Sequence, residues 1–574
     1  MTWQGWLQIA IFAALVVVVV KPLGGYIARI ADGSSRVVRL FAPLENGLYR
    51  LAGVNPAEEQ TWVGYALALL AFHIAGIVAL YALQRLQNVL PLNPQQMGAV
   101  APDLALNTAV SFATNTSWQS YGGETTMSYL TQIAGIVVQS FLSCAAGVAV
   151  ALALIRGFAR RSARTIGNFW VDMTRVTLYV LLPVCVVATL ILVWQGVPQT
   201  FGAYVNATTL EGGTQVLARG PVASQVAVAV LSGDGGGFFN VNSAHPFQNP
   251  TALTGILQML LIFLIGVVLT NSFGRMVGDQ RQGWALFAAM AVMFAVGLVV
   301  VYAGETRSNP AFSPFGVNQA PGLMQAGGNM EGKEVRFGPG QSALFATVST
   351  TSSDGAVDSM HDSFSPLSGL VLLSNMMLDE VIVGGPGSGL FGMLLFAIVA
   401  VFAAGLMIGR TPEYIGKKLE GNEVKMTMLA LLCPPAAILG LTALAVVVPA
   451  GLAGPENAGP HGFSEALYTY TSAAATNGSA VAGVSANTMF YNLTLAVAMF
   501  AGRFIVIIPV LCIAGMLAAK RVIPTSAGTL PTHGPQFVGL LVGTAVIVGG
   551  LTFFPALALG PAAELFAMQA GLTY

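Results

Sequence analysis

Apolar segments of about twenty residues or more recur along the whole 574-residue chain. A helix needs about 20 apolar residues to cross the hydrocarbon core of a bilayer, and ten segments meet that requirement. Hydrophobic residues make up 55% of the sequence and charged residues 8%, which excludes an ordinary soluble enzyme. The pattern predicts an all-α polytopic membrane protein with ten transmembrane helices. The segments lie at about 4–21, 62–84, 126–155, 170–194, 251–273, 284–303, 387–409, 426–450, 487–518 and 535–559.

Basic residues are concentrated in alternate loops between these segments. Positively charged loops stay in the cytoplasm, so both termini are predicted to face outward. The first segment is predicted to be a retained span, because no basic residue precedes it and Lys21 follows it. The formal net charge is zero, which gives no general attraction to nucleic acid. The basic residues that orient the chain are Lys21, Arg29, Arg36, Arg39, Arg50, Arg156, Arg160, Arg161, Arg164, Arg275, Arg281, Arg410, Lys417, Lys418, Lys425, Lys520 and Arg521.

The four long outward loops share one arrangement. Each has a short apolar or weakly polar stretch, then a cluster of Gly, Thr, Ser and Asn, and then the next span; the clusters lie at 114–119, 233–240, 350–357 and 475–480. This arrangement predicts four span–pore-helix–span pseudo-repeats around one ion pore. The predicted units are 62–158, 159–274, 275–410 and 411–519 for the four repeats, 1–61 for the first span and a cytoplasmic loop, and 520–574 for the last span.

Non-helical backbone at membrane depth is tolerated only where it is buried in protein or lines a watery cavity. A ring of backbone carbonyls in such loops can replace the hydration shell of an alkali cation, and potassium is the first candidate. Gly235, Gly355 and Gly478 suit strained backbone that a side chain would obstruct. The glycine-rich stretch 384–389 lacks the Lys-Ser/Thr of a phosphate-binding loop, so it is predicted to be a flexible lead-in to a span, and no nucleotide site is expected.

Two further sets of polar residues, His361 with Asp362 and Arg503 with Glu380, could have a chemical role. His361 and Asp362 could suggest a hydrolase, but the sequence supplies no nucleophile in a triad, so these residues are predicted to brace the filter. Arg503 lies within the ninth apolar segment, where a charge should face a cavity or a partner. Glu380 is its most attractive counter-ion. The alternative is that Arg503 extends along the span to the cytoplasmic interface.

Six short sequence motifs, in the same order along the chain, make it resemble the KdpA family, the potassium-binding, channel-like subunits of the bacterial Kdp potassium-transporting P-type ATPases. The resemblance covers essentially the whole chain and implies a ten-span fold of the potassium-transporter superfamily with a filter open to the outside. It also implies assembly with a KdpB-like P-type ATPase subunit that hydrolyses ATP, a single-span KdpC-like subunit and a small KdpF-like subunit in the lipids of a bacterial plasma membrane. The motifs are PLNPQQ (91–96), LALNTAVSF (104–112), GGGFFN (235–240), MHDSF (360–364), GRTPEY (409–414) and GTLPTHGP (528–535).

The same resemblance implies which residues bind potassium. Gln119 follows the first filter loop and is assigned, with Glu380 and Arg503, to gating and coupling. Asp234 and Asp354 are acidic where the family more usually has an uncharged residue, so they could strengthen cation attraction if they faced the ion. The filter residues implied by the resemblance are Asn115, Thr116, Ser117, Gly233, Asp234, Gly235, Ser353, Asp354, Gly355, Thr476, Asn477 and Gly478.

The leading functional prediction is therefore a non-hydrolytic, potassium-binding and translocating subunit of an ATP-driven uptake complex. Potassium is the transported ion, and no nucleotide binds this chain. The coupling to ATP comes from the resemblance alone. A stand-alone passive potassium channel or a cation-coupled transporter of the same superfamily would fit the fourfold loops equally well.

Overall fold

The computed structural model describes residues 1–322, 325–378, 381–524 and 530–572. Within those ranges ten helices are long and apolar enough to cross a membrane, which confirms the predicted fold class. They are numbered here as spans one to ten. Their bounds are Trp3–Ala31, Trp62–Leu86, Thr131–Ala159, Phe169–Trp194, Ala252–Met276, Gln280–Glu305, Ser388–Met407, Gly421–Ala445, Met489–Ala519 and Pro535–Gln569.

Four shorter helices, the pore helices one to four, each follow an even-numbered span and precede the next odd-numbered one. They contain 10 to 16 residues, so they are roughly 15–24 Å long. Since the hydrocarbon core is about 30 Å thick, each enters the membrane region only part of the way before the chain turns back. Their bounds are Pro102–Ala113, Val222–Leu231, Gly338–Thr350 and Gly459–Ala474.

Burial separates the spans into an inner and an outer set. In spans three, five, seven and nine, 67–78% of the most apolar window is buried inside the protein. In the other six spans the share is 22–44%, because their apolar side chains face outward, as lipid-contacting helices require. The second span of every repeat therefore surrounds the centre of the molecule, and the first span lies outside it.

The remaining elements are short and connect the spans. Two antiparallel hairpins pair β1 (Val205–Thr208) with β2 (Thr214–Leu217) and β3 (Glu413–Tyr414) with β4 (Lys417–Lys418). The other helices are Arg36–Leu40, Ala42–Ala52, Gly123–Thr126, Asn242–Ala244, Pro310–Phe315, His361–Ser363, Pro366–Met377 and Pro449–Leu452.

The structure differs from the sequence prediction in spans one and ten and in the segment before span seven. Span ten continues past residue 559 to Gln569, with a kink at Gly560. Span one continues through Pro22 to Ala31 instead of ending near residue 21. Span seven is preceded by an extra apolar helix, Pro366–Met377, and by a buried non-helical segment at 381–387. A 12-residue helix is too short to register as a span on its own, so hydropathy gave no sign that the third repeat is interrupted.

Candidate functional site: four loops at the centre of the protein

A loop of matching backbone geometry follows each pore helix. The first residue of each predicted filter triplet has a positive φ, although none but Gly233 is a glycine: Asn115 (59°), Gly233 (55°), Ser353 (42°) and Thr476 (60°). Positive φ is uncommon for other residues and concentrates at functional sites. The structure thus gives the first residue of all four triplets the same left-handed conformation despite their different sequences.

The third triplet residue returns to positive φ in three of the loops, at Ser117 (58°), Gly235 (76°) and Gly478 (87°), but not at Gly355. Backbone that alternates between left-handed and right-handed conformations turns successive peptide groups toward the same side. Such a segment can present a short row of like backbone dipoles to an ion.

Direct hydrogen bonds join the loops to one another. The side-chain amide of Asn115 in loop one donates to the carbonyl of Gly233 in loop two at 3.0 Å. The backbone N–H of Gly355 donates to the carbonyl of Asp234 at 3.1 Å, and the Ser117 hydroxyl donates to that same carbonyl. Loops one, two and three are therefore held together through polar backbone atoms.

Two glycines show how closely the backbones approach. A Cβ placed on Gly478 would lie 1.7 Å from the carbonyl oxygen of Thr116, and one on Gly235 would lie 2.2 Å from the amide nitrogen of Gly355. Real Cβ atoms essentially never come within 3.0 Å of such atoms. Only glycine fits at these positions, so loop four contacts loop one, and loop two contacts loop three, backbone against backbone.

The middle triplet side chains of loops three and four bind the protein behind the loops. The Asn477 amide donates to the carbonyl of Ser349 in pore helix three at 3.1 Å. One carboxylate oxygen of Asp354 accepts the N–H of Ala356 at 2.8 Å. Asp234 is fully buried, and neither of its carboxylate oxygens has a hydrogen-bond partner among the described residues. In this arrangement the Asp354 side chain is directed at its own backbone, in contrast to a side chain aimed at an ion path.

A cavity of about 980 Å³ opens in front of the loops. All four loops contribute to its wall, through Ser117, Gly236, Gly355 and Gly478. Gln119 also lines it and clamps loop two, because its side-chain oxygen accepts the N–H of Gly237 at 3.0 Å while its nitrogen donates to that residue's carbonyl at 3.3 Å. An ion in the cavity therefore reaches the four loops from one side.

Arg503 lies on the other side of the loops. It is 4% exposed and sits in a π-helical turn of span nine, Ala501–Ile505, a distortion frequent at functional sites. Its guanidinium donates to the carbonyl of Ser143 in span three at 3.1 Å, and it lines a cavity of about 20 Å³ together with Thr476 of loop four. The side chain points into the protein centre and does not extend to the cytoplasmic interface. Glu380 lies outside the described residues.

Comparison with known proteins decides the family. A family model described as KdpA, potassium-transporting ATPase A subunit, matches residues 10–566. The chain belongs to the KdpA family. The potassium-transporting ATPase potassium-binding subunit of Methylorubrum populi is 62% identical over 575 residues, covering 100% of this chain and 99% of that protein. The protein of the same name from Mesorhizobium japonicum is 60% identical over 575 residues and is covered completely.

A solved structure shares the fold of this KdpA-family chain. The potassium transporter TrkH from Vibrio parahaemolyticus superposes with a TM-score of 0.51, covering 85% of this chain and 96% of that one. The sequence identity is 13%, so the likeness concerns the fold alone.

Sequence reasoning missed one component of the site in this KdpA-family chain. The stretch predicted to be a flexible lead-in to span seven is buried directly against the loops. The N–H groups of Val383 and Gly384 donate to the carbonyl of Thr351 at 3.1 and 2.8 Å, and a Cβ on Gly233 would lie 2.4 Å from Pro386. The three glycines around this proline were visible in the sequence, but their position under loops two and three depends on distant segments.

A chain of polar side chains supports loop four from the outer side. The Asn477 oxygen accepts the N–H of Ser479 at 3.1 Å, the Ser479 hydroxyl lies 2.7 Å from the Tyr468 hydroxyl, and Tyr468 lies 2.7 Å from Nδ1 of His361. The N–H of Asp362 donates to the carbonyl of Val481 at 2.9 Å. His361 and Asp362 thus brace the loop, in keeping with the sequence interpretation.

Proposed function

We propose that this KdpA-family chain is the potassium-binding subunit of a potassium-transporting ATPase, and that the four loops bind the ion. The observation that carries the proposal is the convergence of four triplets, each with a left-handed first residue, on the end of a large open cavity. A ring of carbonyls can replace potassium's hydration shell. The printed names of the relatives in Methylorubrum and Mesorhizobium support potassium as the ion.

The proposed binding groups are backbone carbonyls of the triplets, with the middle side chains of loops three and four acting as braces. Close backbone contacts at Gly235 and Gly478 support this division, because they leave no room for a side chain between neighbouring loops. The proposed filter consists of Asn115, Thr116, Ser117, Gly233, Asp234, Gly235, Ser353, Asp354, Gly355, Thr476, Asn477 and Gly478.

Arg503 and Gln119 are proposed to control passage on the two sides of the filter. A buried guanidinium beneath the loops repels a cation that would move straight through, whereas Gln119 fixes the outer mouth by clamping Gly237. A pump needs the barrier that Arg503 forms below the filter, because an open path beside an ATP-driven step would dissipate the potassium gradient. Pairing of Arg503 with Glu380 remains a prediction from the sequence.

We further propose a bacterial plasma-membrane location with the filter mouth and both termini outside. The positively charged loops support this orientation. The N–H of Thr2 donates to the hydroxyl of Tyr302 at 2.9 Å, and His461 of pore helix four lies 2.8 Å from Glu564 of the last helix. Both ends of the chain are thereby held on the same side as the cavity.

The proposed partner is a catalytic P-type ATPase subunit of the KdpB kind, with KdpC-like and KdpF-like subunits completing the complex. The test compares the chain alone with the reconstituted complex in liposomes, measuring ATP hydrolysis and potassium flux. We expect potassium-stimulated hydrolysis from the complex and neither hydrolysis nor steady flux from the single chain. Rapid potassium flux by the chain alone would instead establish the channel or cation-coupled transporter alternative, and hydrolysis by the chain alone would contradict the division of labour.

A further inference from the structure

A cluster of titratable side chains lies on the outer face, away from the four loops. His461 and Glu465 are one helical turn apart on pore helix four, so they share a face. Asp362 follows filter loop three, and Glu564 belongs to the last helix. Segments far apart in sequence therefore place one imidazole among three carboxylates.

The atoms of three of these residues converge as the ligands of a metal ion do. Nε2 of His461 lies 3.1 Å from Oδ1 of Asp362 and 4.0 Å from Oε1 of Glu465, and one ligand atom from each residue falls within 4.8 Å of the others. Ligands around a tetrahedral zinc ion at 2.0–2.2 Å are about 3.4 Å apart. Small side-chain adjustments therefore bring this trio to coordinating distance.

The other imidazole nitrogen has the partner that a metal-binding histidine normally has. Nδ1 of His461 lies 2.8 Å from Oε1 of Glu564. A carboxylate that accepts the second N–H of a ligating histidine fixes the ring and strengthens its free nitrogen as a ligand. With Nδ1 directed to Glu564, Nε2 is the nitrogen that faces Asp362 and Glu465.

A histidine with a buried, unpartnered nitrogen lines the cavity beside these residues. His361 is 5% exposed, and its Nε2 has no hydrogen-bond partner among the described residues. Together with Asp362, His461, Glu465 and Glu564, it lines a cavity of about 30 Å³, which is large enough for a single ion or water. A buried polar atom without a partner calls for an explanation.

We propose that Asp362, His461 and Glu465 form a divalent transition-metal site of the zinc class, with His361 completing the coordination directly or through one water. Imidazole and carboxylate ligands together suit zinc. Lys333 of the preceding outer loop is paired with Glu305 at 2.8 Å and not with these carboxylates. A bound divalent cation also offsets the repulsion among three adjacent carboxylates.

In the metal-free protein hydrogen bonds take the place of the ion. Nε2 of His461 lies 3.1 Å from Oδ1 of Asp362, and Nδ1 lies 2.8 Å from Oε1 of Glu564. A zinc ion bound to Nε2 would fasten the segment after loop three to pore helix four, next to the His361–Tyr468 contact that supports loop four.

The test measures zinc binding by the purified, tag-free full chain in detergent, using competition with a fluorescent zinc chelator. We expect one ion per chain in the wild type and at least a 100-fold loss of affinity in Asp362→Asn and His461→Gln. Glu564→Gln should bind 10- to 100-fold more weakly, because it removes only the outer partner of the imidazole. His533→Gln, which removes a histidine elsewhere, is the matched control and should bind like the wild type.

A second measurement needs no variant. Cobalt(II) added to the wild-type chain should give the visible absorption of a four-coordinate ion with nitrogen ligands, and one equivalent of zinc should abolish it. Zinc should also raise the thermal unfolding midpoint, because it binds only the folded chain. Absence of saturable binding, or equal affinity in His461→Gln and the wild type, overturns the proposal. Neither measurement involves potassium or a partner subunit, so a negative result leaves the proposed transport function untouched.

Discussion

Replacement of Gly478 by alanine is the sharpest perturbation of the proposed filter. The added Cβ would lie 1.7 Å from the Thr116 carbonyl oxygen, whereas ordinary contact begins at 3.4 Å. The two loops must therefore separate by about 1.7 Å, the difference between those distances. A ligand site tolerates displacements of only about 0.5 Å, so the carbonyl of Thr116 can no longer take its place in the ring.

Backbone conformation adds to the steric effect, because Gly478 has a φ of 87° and a left-handed conformation costs an L-residue roughly 1–2 kcal/mol. We expect the potassium concentration for half-maximal ATPase stimulation to rise at least tenfold, equivalent to about 1.4 kcal/mol of binding free energy. Discrimination against sodium should fall in parallel. The assay is potassium- and sodium-dependent ATP hydrolysis by the reconstituted complex.

Alanine substitutions at the corresponding glycines of loops two and three should weaken potassium binding to different extents. Gly235→Ala should act like Gly478→Ala. Gly355→Ala should act less, because Gly355 lacks positive φ and the nearest backbone atom to its Cβ, the carbonyl carbon of Gly478, lies at 2.9 Å. Gly98→Ala is the matched control, since nothing lies within 4 Å of its Cβ. Unchanged potassium affinity and selectivity in all three filter variants would refute the assignment of these loops.

Two further predictions concern the path below the filter and the topology. Arg503→Met should let potassium leak through the complex or let ATP hydrolysis proceed without potassium control. Arg503→Lys keeps the charge and should retain partial coupling. If Arg503→Met shows the potassium stimulation, affinity and leak of the wild type, the residue has only a structural role. A cysteine replacing Leu210, which is fully exposed in the loop between β1 and β2, should react with a membrane-impermeant thiol reagent from outside only, and one replacing Arg410 from inside only. The reverse pattern would invert the model of the membrane orientation.

The sequence predicts the spans well because a bilayer imposes a simple length requirement on each apolar segment. The four triplets could also be located, since polar, glycine-containing clusters stand out between apolar segments. The hydropathy pattern does not report what packs beneath the loops. The contact between Pro386 and Gly233 joins residues about 150 positions apart in the chain, and only the folded structure brings them together.

Side-chain direction was equally beyond the sequence. Asp354 could have faced the ion or the protein, and the choice depends on where its own loop places the N–H of Ala356. Arg503 could have extended to the interface, but the π-helical turn of span nine points it toward Ser143. Such outcomes depend on local backbone distortions, which composition and periodicity do not encode.

The interrupted seventh span has a consequence for the order in which the protein is assembled in the membrane. The N–H groups of Val383 and Gly384 obtain their acceptor from Thr351, and a Cβ on Gly147 of span three would lie 2.3 Å from the Pro386 carbonyl oxygen. Lipid offers no hydrogen bonds to exposed backbone. We therefore expect this stretch to reach its final position during biosynthesis together with, or after, pore loop three and span three. The third repeat is then expected to complete its folding on contacts that the first repeat provides.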